Sequence, residues 1–109
     1  MHELGIAQEI VDIACSQAHG ARVKRIVVQI GKLSAVLPDA VRFCFDLCTE
    51  DTPAAGAALE IIEPAGVARC RDCGDKVLLE RPYGECGCGC TDLEWLSGDE
   101  LRIQTVEIA

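Results

Sequence analysis

Two short cysteine clusters in the second half of the chain limit its fold more than any other feature of the sequence. The first is Cys70-Arg-Asp-Cys73, and the second, twelve residues later, is Cys86-Gly-Cys-Gly-Cys90. Gly74 and Gly89 each follow a cysteine and give the backbone freedom to turn back on itself. Thiolates at this spacing can converge on one tetrahedral Zn²⁺, with the intervening residues forming a hairpin. The spacing therefore predicts a structural zinc site built from two cysteine turns.

The same cysteines could instead form disulfides, and the zinc site could be closed in more than one way. No secretory signal is recognisable in the sequence, and thiols stay reduced in the cytosol, so zinc is the favoured interpretation. Cys70 and Cys73 supply the first pair of ligands. The second pair has three candidates, Cys86, Cys88 and Cys90, and their spacing leaves the choice open.

Composition and charge indicate a small soluble protein. A chain of 109 residues has room for one domain, or for one domain with a small module. Its formal net charge of −8 and pI of about 4.6 argue against nucleic-acid binding, because a phosphate backbone would be repelled. No apolar run approaches the roughly 20 residues that span a bilayer. We therefore expect a cytoplasmic protein that binds neither nucleic acid nor membrane.

The first third of the chain predicts a helix followed by a strand. Apolar residues recur at a spacing of two to four positions, which predicts an amphipathic helix with one buried side: Leu4, Ile6, Ala7, Ile10, Val11, Ala14 and Ala18. Gly20 suits a left-handed helix end, and His19 would lie near the negative end of the helix dipole. Residues Val23 to Leu33 are rich in β-branched side chains and predict a strand. Gly31 to Leu37 predicts a loop, which overlaps the end of this strand.

A second helix and two further strands are expected after this strand. Pro38 suits the first turn of a helix that Thr52-Pro53 would stop. Four of its residues share an inward face at positions i, i+3, i+4 and i+7: Val41, Cys44, Phe45 and Cys48. Residues 57–62 and 101–108 predict strands. In the last strand the apolar residues lie at odd positions up to Ile103 and at even positions from Val106. This shift predicts a bulge or a change of buried face.

These elements predict an α+β fold in which two helices pack on a small three-stranded sheet. The last strand is too short to stand alone and should return to the sheet of the first half. A zinc-ribbon-like module is then inserted before that strand. The predicted domains are 1–66 with 97–109, and the inserted module 67–96.

The order of these motifs resembles the HypA/HybF family over essentially the whole chain. The resemblance rests on Met1-His2-Glu3, on Phe43-Cys-Phe-Asp46, on the two cysteine pairs, and on Leu96-Ser-Gly-Asp-Glu-Leu-Arg-Ile103. It implies a nickel metallochaperone that helps to mature [NiFe]-hydrogenase with the GTPase HypB, acting on the hydrogenase large subunit. It also implies an α+β nickel-binding domain with an inserted zinc domain. We expect a monomer or a weak homodimer.

The chain departs from the family at the second cysteine pair. The family commonly has Cys-x-x-Cys there, whereas this chain has Cys86-x-Cys88 and the additional Cys90. Counting back from the Leu-Ser-Gly stretch places Cys88-Gly89 on the Cys-Gly step of the family. We therefore predict that zinc is bound by Cys70, Cys73, Cys86 and Cys88, with Cys90 as a substitute.

Met1-His2-Glu3 offers a nickel chelate. A terminal amine, the amide nitrogen of His2 and the His2 imidazole can form adjacent chelate rings around one metal ion, and Glu3 could add a fourth donor through its amide or carboxylate. Nitrogen-rich donor sets of this kind suit Ni(II) or Cu(II). A histidine at a chain end is usually only a solvated side chain. The resemblance is what favours nickel at Met1, His2 and Glu3.

The remaining cysteines and the rest of the sequence give little sign of catalysis. Cys15, Cys44 and Cys48 have apolar neighbours, and buried free cysteine behaves as a small apolar residue, so a core role is expected. No catalytic triad or phosphate-binding loop is recognisable, and a four-thiolate zinc has no open position for water. We expect no enzyme. The alternative to nickel delivery is a zinc-ribbon adaptor that binds another protein.

Overall fold

The computed structural model describes residues 3–109, and this part of the chain forms two helices and two three-stranded sheets. The α+β prediction is confirmed. In chain order the elements are α1 (Glu3–Ala18), β1 (Val23–Ile30), α2 (Pro38–Cys48), β2 (Ala58–Ile62), β3 (Gly66–Cys70), β4 (Lys76–Leu79), β5 (Leu93–Ser97) and β6 (Leu101–Ile108). None of these helices is long and apolar enough to cross a membrane.

The chain divides into two compact units, which we call the first and the second unit. The first contains the chain up to Val28, Val36–Ile62 and Arg102–Ala109, and the second contains Gln29–Ala35 and Glu63–Leu101. The second unit is therefore built from two separate segments of the chain. The functional assignment of 1–66 with 97–109 to nickel and of 67–96 to zinc stays a prediction.

Helix α1 buries the apolar side that its sequence predicts, with one exception. Six residues of the predicted stripe are buried: Ile6, Ala7, Ile10, Val11, Ala14 and Ala18. Leu4 was expected among them, but its side chain is 55% exposed. Leu4 lies in the first turn of the helix. The spacing of apolar residues does not show whether the rest of the protein covers the helix as far as its end. After α1, His19 and Gly20 have φ of +50° and +89°, so both residues form the left-handed turn.

Helix α2 packs on α1 and buries fewer residues than predicted. Pro38 lies in its first turn. Val41 and Phe45 are buried, whereas Cys44 and Cys48 are half-buried at the edges of the inward face. The helix ends at Cys48, where the N–H of Thr49 donates to the carbonyl of Phe45 at 3.0 Å.

The first sheet has the strand order β2-β1-β6, so the last strand returns to the sheet as predicted. Its central strand β1 carries most of the buried apolar residues of the sheet: Val23, Ile26, Val27, Val28 and Ile30. Strand β6 lies at an edge, with Ile103 and Val106 half-buried and its other residues exposed. A bulge between those two residues stays a prediction.

Strand β1 ends at Ile30, so residues 31–33 belong to the predicted loop and not to the predicted strand. The next backbone N–H groups donate elsewhere: Gly31 to the carbonyl of Glu100 (2.7 Å), Lys32 to that of Pro64 (3.0 Å) and Leu33 to that of Gly98 (2.8 Å). Lys32 also forms an ion pair with Glu80. The β-branched residues end at Ile30, and the loop predicted from Gly31 to Leu37 begins where the strand ends.

The second sheet belongs to the second unit and carries the cysteine clusters. Its central strand β3 pairs antiparallel with β4 and with β5, and the register against β5 shifts between Val67 and Ala68. The buried core of this unit is small: Leu33, Ala68 and Leu79, with Val77 and Leu93 packed against them. Leu33, from the segment 29–35, is part of this core.

Candidate metal centre

Four cysteine sulfurs of the second unit lie together. The Sγ atoms of Cys70, Cys73, Cys86 and Cys88 all lie within 4.8 Å of one another. The Sγ atoms of Cys70 and Cys88 are 3.6 Å apart, and those of Cys73 and Cys86 are 3.5 Å apart. Tetrahedral zinc with bonds of about 2.3 Å to sulfur needs sulfurs about 3.8 Å apart, whereas a disulfide bond is only about 2.05 Å long. All these cysteines are free thiols, and their spacing fits a metal site.

The first cysteine turn begins where strand β3 ends. The N–H of Cys70 donates to the carbonyl of Asp75 at 2.9 Å, and the N–H of Gly74 donates to the carbonyl of Cys70 at 3.0 Å. The N–H of Cys73 points at the Sγ of Cys70, 3.4 Å away. Gly74 has a φ of +79°, which a residue with a Cβ rarely adopts, so glycine is required to close this turn.

The second cysteine turn repeats the first with one residue fewer. The N–H of Cys86 donates to the carbonyl of Cys90 at 2.9 Å, and the N–H of Gly89 donates to the carbonyl of Cys86 at 2.8 Å. Gly89 has a φ of +91° and takes the place that Gly74 has in the first turn. Because the turn is one residue shorter, the second thiol follows after one residue rather than two. This explains the Cys-x-Cys spacing at Cys86 and Cys88.

The cluster has a buried and an exposed side. Cys70 and Cys86 are buried, whereas Cys73 and Cys88 are exposed. Arg71 lies at the rim, where its guanidinium forms ion pairs with Asp92 at 3.1 Å and with Glu94 at 3.7 Å. These pairs are exposed and contribute little stability, but they tie the first cysteine turn to the chain that follows the second.

The pKa values of Cys70, Cys73 and Cys88 are shifted by nearby backbone N–H groups, by burial and by neighbouring thiols. The N–H of Cys73 is the main cause that lowers the pKa of Cys70 to about 6. The N–H of Asp75 acts to lower the pKa of Cys73, but the Cys86 thiol and burial outweigh it and raise that pKa to about 12. The N–H of Cys90 acts to lower the pKa of Cys88, but the Cys70 and Cys86 thiols and burial together raise it. A divalent cation among these sulfurs would favour the ionised form of the thiols.

Cys90 lies next to this group but outside it. Its Sγ accepts a hydrogen bond from the N–H of Asp92 at 3.4 Å and lies 3.7 Å from the carbonyl oxygen of Asp92. The thiol is half-buried. The structure therefore brings together the four cysteines that the sequence comparison favoured, with the fifth beside them.

The candidate nickel site is only partly described. Met1 and His2 lie outside the described residues. Glu3 lies in the first turn of α1, half-buried, and its carboxylate Oε2 accepts a hydrogen bond from the N–H of Leu37 at 3.3 Å. Leu37 is the N-cap residue of α2, where a negative charge is favourable.

Sequence reasoning missed two features of the second unit. The first is the role of Arg71 at the rim of the metal centre, which its position inside the first cluster could have suggested. The second is a groove of about 430 Å³ that contains two exposed aromatic side chains, Tyr83 and Trp95. No periodic pattern marks these aromatics, because they lie on different segments of the unit.

The three cysteines of the helices are not fully buried. Cys15, Cys44 and Cys48 are each half-buried, so the predicted core role holds only in part. Burial raises the pKa of Cys48, and Cys44 and Asp12 raise it further. Among the described residues no metal-binding group includes these cysteines.

The chain is similar to proteins named as hydrogenase maturation factors. Residues 1–108 match the family described as "Hydrogenase/urease nickel incorporation, metallochaperone, hypA". The hydrogenase maturation factor HypA of Trichormus variabilis is 52% identical over 108 residues, which cover 99% of this chain and 96% of that protein. HypA of Geotalea uraniireducens is 43% identical over 109 residues, which cover 99% of this chain and 99% of that protein.

The fold is also similar to solved structures. The solution structure of the Ni metallochaperone HypA from Helicobacter pylori matches with a TM-score of 0.66 and 24% identity, covering 99% of this chain and 97% of that one. A second solution structure of a HypA protein matches with a TM-score of 0.66 and 23% identity. At these identities the similarity supports the fold.

Proposed function

Because the chain belongs to the HypA family of nickel metallochaperones, we propose that it binds Ni(II) at its N-terminus and delivers it during maturation of [NiFe]-hydrogenase. In the same proposal, zinc bound by four cysteines stabilises the second unit. The match over residues 1–108 carries the proposal, because it includes Met1, His2 and Glu3 as well as the cysteine clusters.

The proposed nickel ligands are the amine of Met1, the amide and imidazole nitrogens of His2, and a donor from Glu3. The carboxylate of Glu3 accepts a hydrogen bond from the N–H of Leu37 through Oε2, and Glu3 would contribute either its backbone amide or this carboxylate. The imidazole and the amine are bases that bind protons near neutral pH, so the metal is held by ligands that protons can displace. A site of this kind releases its metal readily, which suits delivery.

The proposed zinc ligands are Cys70, Cys73, Cys86 and Cys88. Four sulfur donors at tetrahedral spacing form a closed site, which is typical of structural rather than catalytic zinc. When bound, zinc supplies the charge that keeps all four thiolates ionised. The metal has a structural purpose, since the core cluster of the second unit is small and is formed by Leu33, Ala68 and Leu79.

The proposed partners are a HypB-type GTPase and the large subunit of [NiFe]-hydrogenase, in the cytoplasm. The chain would act as a monomer or a weak homodimer and would catalyse no reaction itself. The role in hydrogenase maturation is supported by the relatives, which are named hydrogenase maturation factors. The net charge of −8 also suits a protein that works away from nucleic acid.

The decisive experiment removes the proposed nickel ligands one at a time. His2→Ala should abolish nickel binding, and so should one or two residues added before Met1, because the extension keeps every side chain and removes only the free amine. The chain has two histidines, and His19→Ala is the matched control that should bind nickel like the parent. Binding is measured by calorimetry, and zinc content by mass spectrometry.

The outcomes separate the two functions that the sequence left open. One zinc and one exchangeable nickel per chain support delivery. Zinc alone, with no nickel in the parent, supports the adaptor, and the groove with Tyr83 and Trp95 would then be its candidate contact surface. Unchanged nickel affinity in the extended protein would show that the amine is not a ligand.

A further inference from the structure

Helix α2 leaves large apolar side chains in solvent on the side that faces away from the core. Val41 and Phe45 lie on its inward side and are buried. On the outward side Phe43 and Leu47, one helical turn apart, are 68% and 54% exposed. Exposed apolar residues that adjoin one another, rather than lying singly, are typical of contact surfaces. The outward side of α2 is therefore a candidate surface for another molecule.

Three carboxylates adjoin these apolar side chains. Asp39 and Asp46 are one helical turn before and after Phe43, so they lie on its side of α2. Glu50 lies just beyond the helix end, three residues after Leu47. All three are exposed, and no ion pair in the part of the chain that the structure describes involves any of them. We call these five residues the α2 stripe.

The negative charge at the end of the α2 stripe is unfavourable for the helix itself. The C-terminal end of a helix carries partial negative charge and favours basic side chains. The last turn of α2 contains no basic residue, whereas Asp46 lies in it and Glu50 and Asp51 follow. Arg42 is the one basic residue of α2, and its Nη1 donates to the carbonyl of Leu59 at 2.6 Å. A positively charged partner would relieve this repulsion.

We propose that the α2 stripe is a docking surface for a basic amphipathic helix of another protein. That helix would place leucine, isoleucine or phenylalanine against Phe43 and Leu47, with lysine or arginine beside the three carboxylates. A helix fits better than an extended segment, because α2 presents side chains at helical spacing and its backbone groups are bonded within the helix. The inference does not rest on the nickel or zinc sites, since none of their proposed ligands lies in α2.

The test measures the binding of a synthetic probe to the full chain by fluorescence anisotropy. The probe is a labelled amphipathic peptide of leucine and lysine, about four helical turns long. Its matched control has glutamate in place of every lysine. We expect saturable binding of one leucine/lysine peptide per chain, which weakens as salt is added, and no binding of the leucine/glutamate peptide.

Two variants separate the apolar and the charged parts of the α2 stripe. Phe43→Ala should weaken binding of the leucine/lysine peptide at least about tenfold, a difference of roughly 1.4 kcal/mol, because buried aromatic anchors dominate contacts of this kind. Asp46→Asn/Glu50→Gln should also weaken binding and should make it less dependent on salt, because fewer charges remain to be screened. Both changes are on the surface, and circular dichroism confirms that α1 and α2 stay folded.

The matched controls make the same kinds of change outside the α2 stripe. Tyr83→Ala removes an exposed aromatic side chain of the second unit. Glu9→Gln/Glu85→Gln removes two other exposed carboxylates, so it changes the net charge as much as the double variant of the stripe. Both controls should bind the leucine/lysine peptide like the parent.

Several results would overturn the docking role. The parent might fail to bind the leucine/lysine peptide, or Phe43→Ala could bind it like the parent. Equal weakening by Tyr83→Ala, or by Glu9→Gln/Glu85→Gln, would show that the peptide is attracted to the whole acidic surface. Equal binding of the leucine/glutamate peptide would show that charge does not select the partner. None of these measurements involves nickel or zinc, so the metal-delivery function is tested separately.

Discussion

Gly98 lies at a point of the second unit where the backbone leaves no room for a side chain. It has a φ of +107°, and a Cβ built there would overlap the Cα of Gly66 and lie 2.9 Å from the carbonyl oxygen of Ala65. Its own carbonyl accepts the hydrogen bond from Leu33 at 2.8 Å. Both the conformation and the close approach require glycine at this position.

Gly98→Ala should therefore destabilise the second unit by about 1–3 kcal/mol, the usual range for a strained backbone position. The measurement is urea unfolding of the zinc-loaded protein, followed by the fluorescence of the single Trp95. Gly87→Ala is the matched control, because a Cβ at Gly87 meets nothing within 4 Å. Equal stability of the two variants would contradict the steric argument.

At the level of elements, the sequence predicted what depends on local pattern and missed what depends on distant partners. The periods of α1 and α2 and the β-branched residues of β1 are local, and the two cysteine turns are marked by their own spacing. The strand and loop predictions overlapped at residues 31–33, because the carbonyls that accept from Gly31, Lys32 and Leu33 lie more than thirty residues away in the sequence. Leu4 was misplaced for a similar reason, since its exposure depends on what covers the first turn of α1.

We expect β3, β4 and β5 to need bound zinc in order to stay folded, whereas α1 and α2 should stay folded without it. Cys73→Ala removes a sulfur that pairs with Cys86 at 3.5 Å. Structural zinc supplies on the order of 10 kcal/mol in small sites, which the core of this unit cannot replace. We expect loss of zinc and of amide protection in β3, β4 and β5, with α1 and α2 still protected, measured by hydrogen exchange.

Cys15→Ala is a suitable control for this experiment, since it also removes a thiol but lies in α1. It should retain zinc and full protection of β3. Zinc content in Cys73→Ala equal to that of the parent, or strands that stay protected without zinc, would show that the metal is not what holds this unit together.

For the whole molecule, we expect acid to remove nickel before zinc. Protons compete with nickel at the imidazole, with an ordinary pKa of about 6.5, and at the amine, near 8, so nickel affinity should fall as pH falls through this range. The four sulfurs of the zinc site would close a tetrahedral shell around the ion, so zinc should be retained to lower pH. Titrating the doubly loaded protein from pH 8 to pH 5 should release nickel first. Release of both metals at the same pH would contradict the model of two independent sites.

The two-segment construction of the second unit limits how this part of the protein could be exchanged. Leu33 belongs to its core and Lys32 pairs with Glu80, although both lie far from the cysteines in sequence. A chimera that replaces only residues 67–96 with those of a relative would combine a foreign core with the original Leu33. A working transplant must carry Gln29–Ala35 together with Glu63–Leu101. Recombination at a single pair of boundaries would therefore be selected against, and the two segments should change together in evolution.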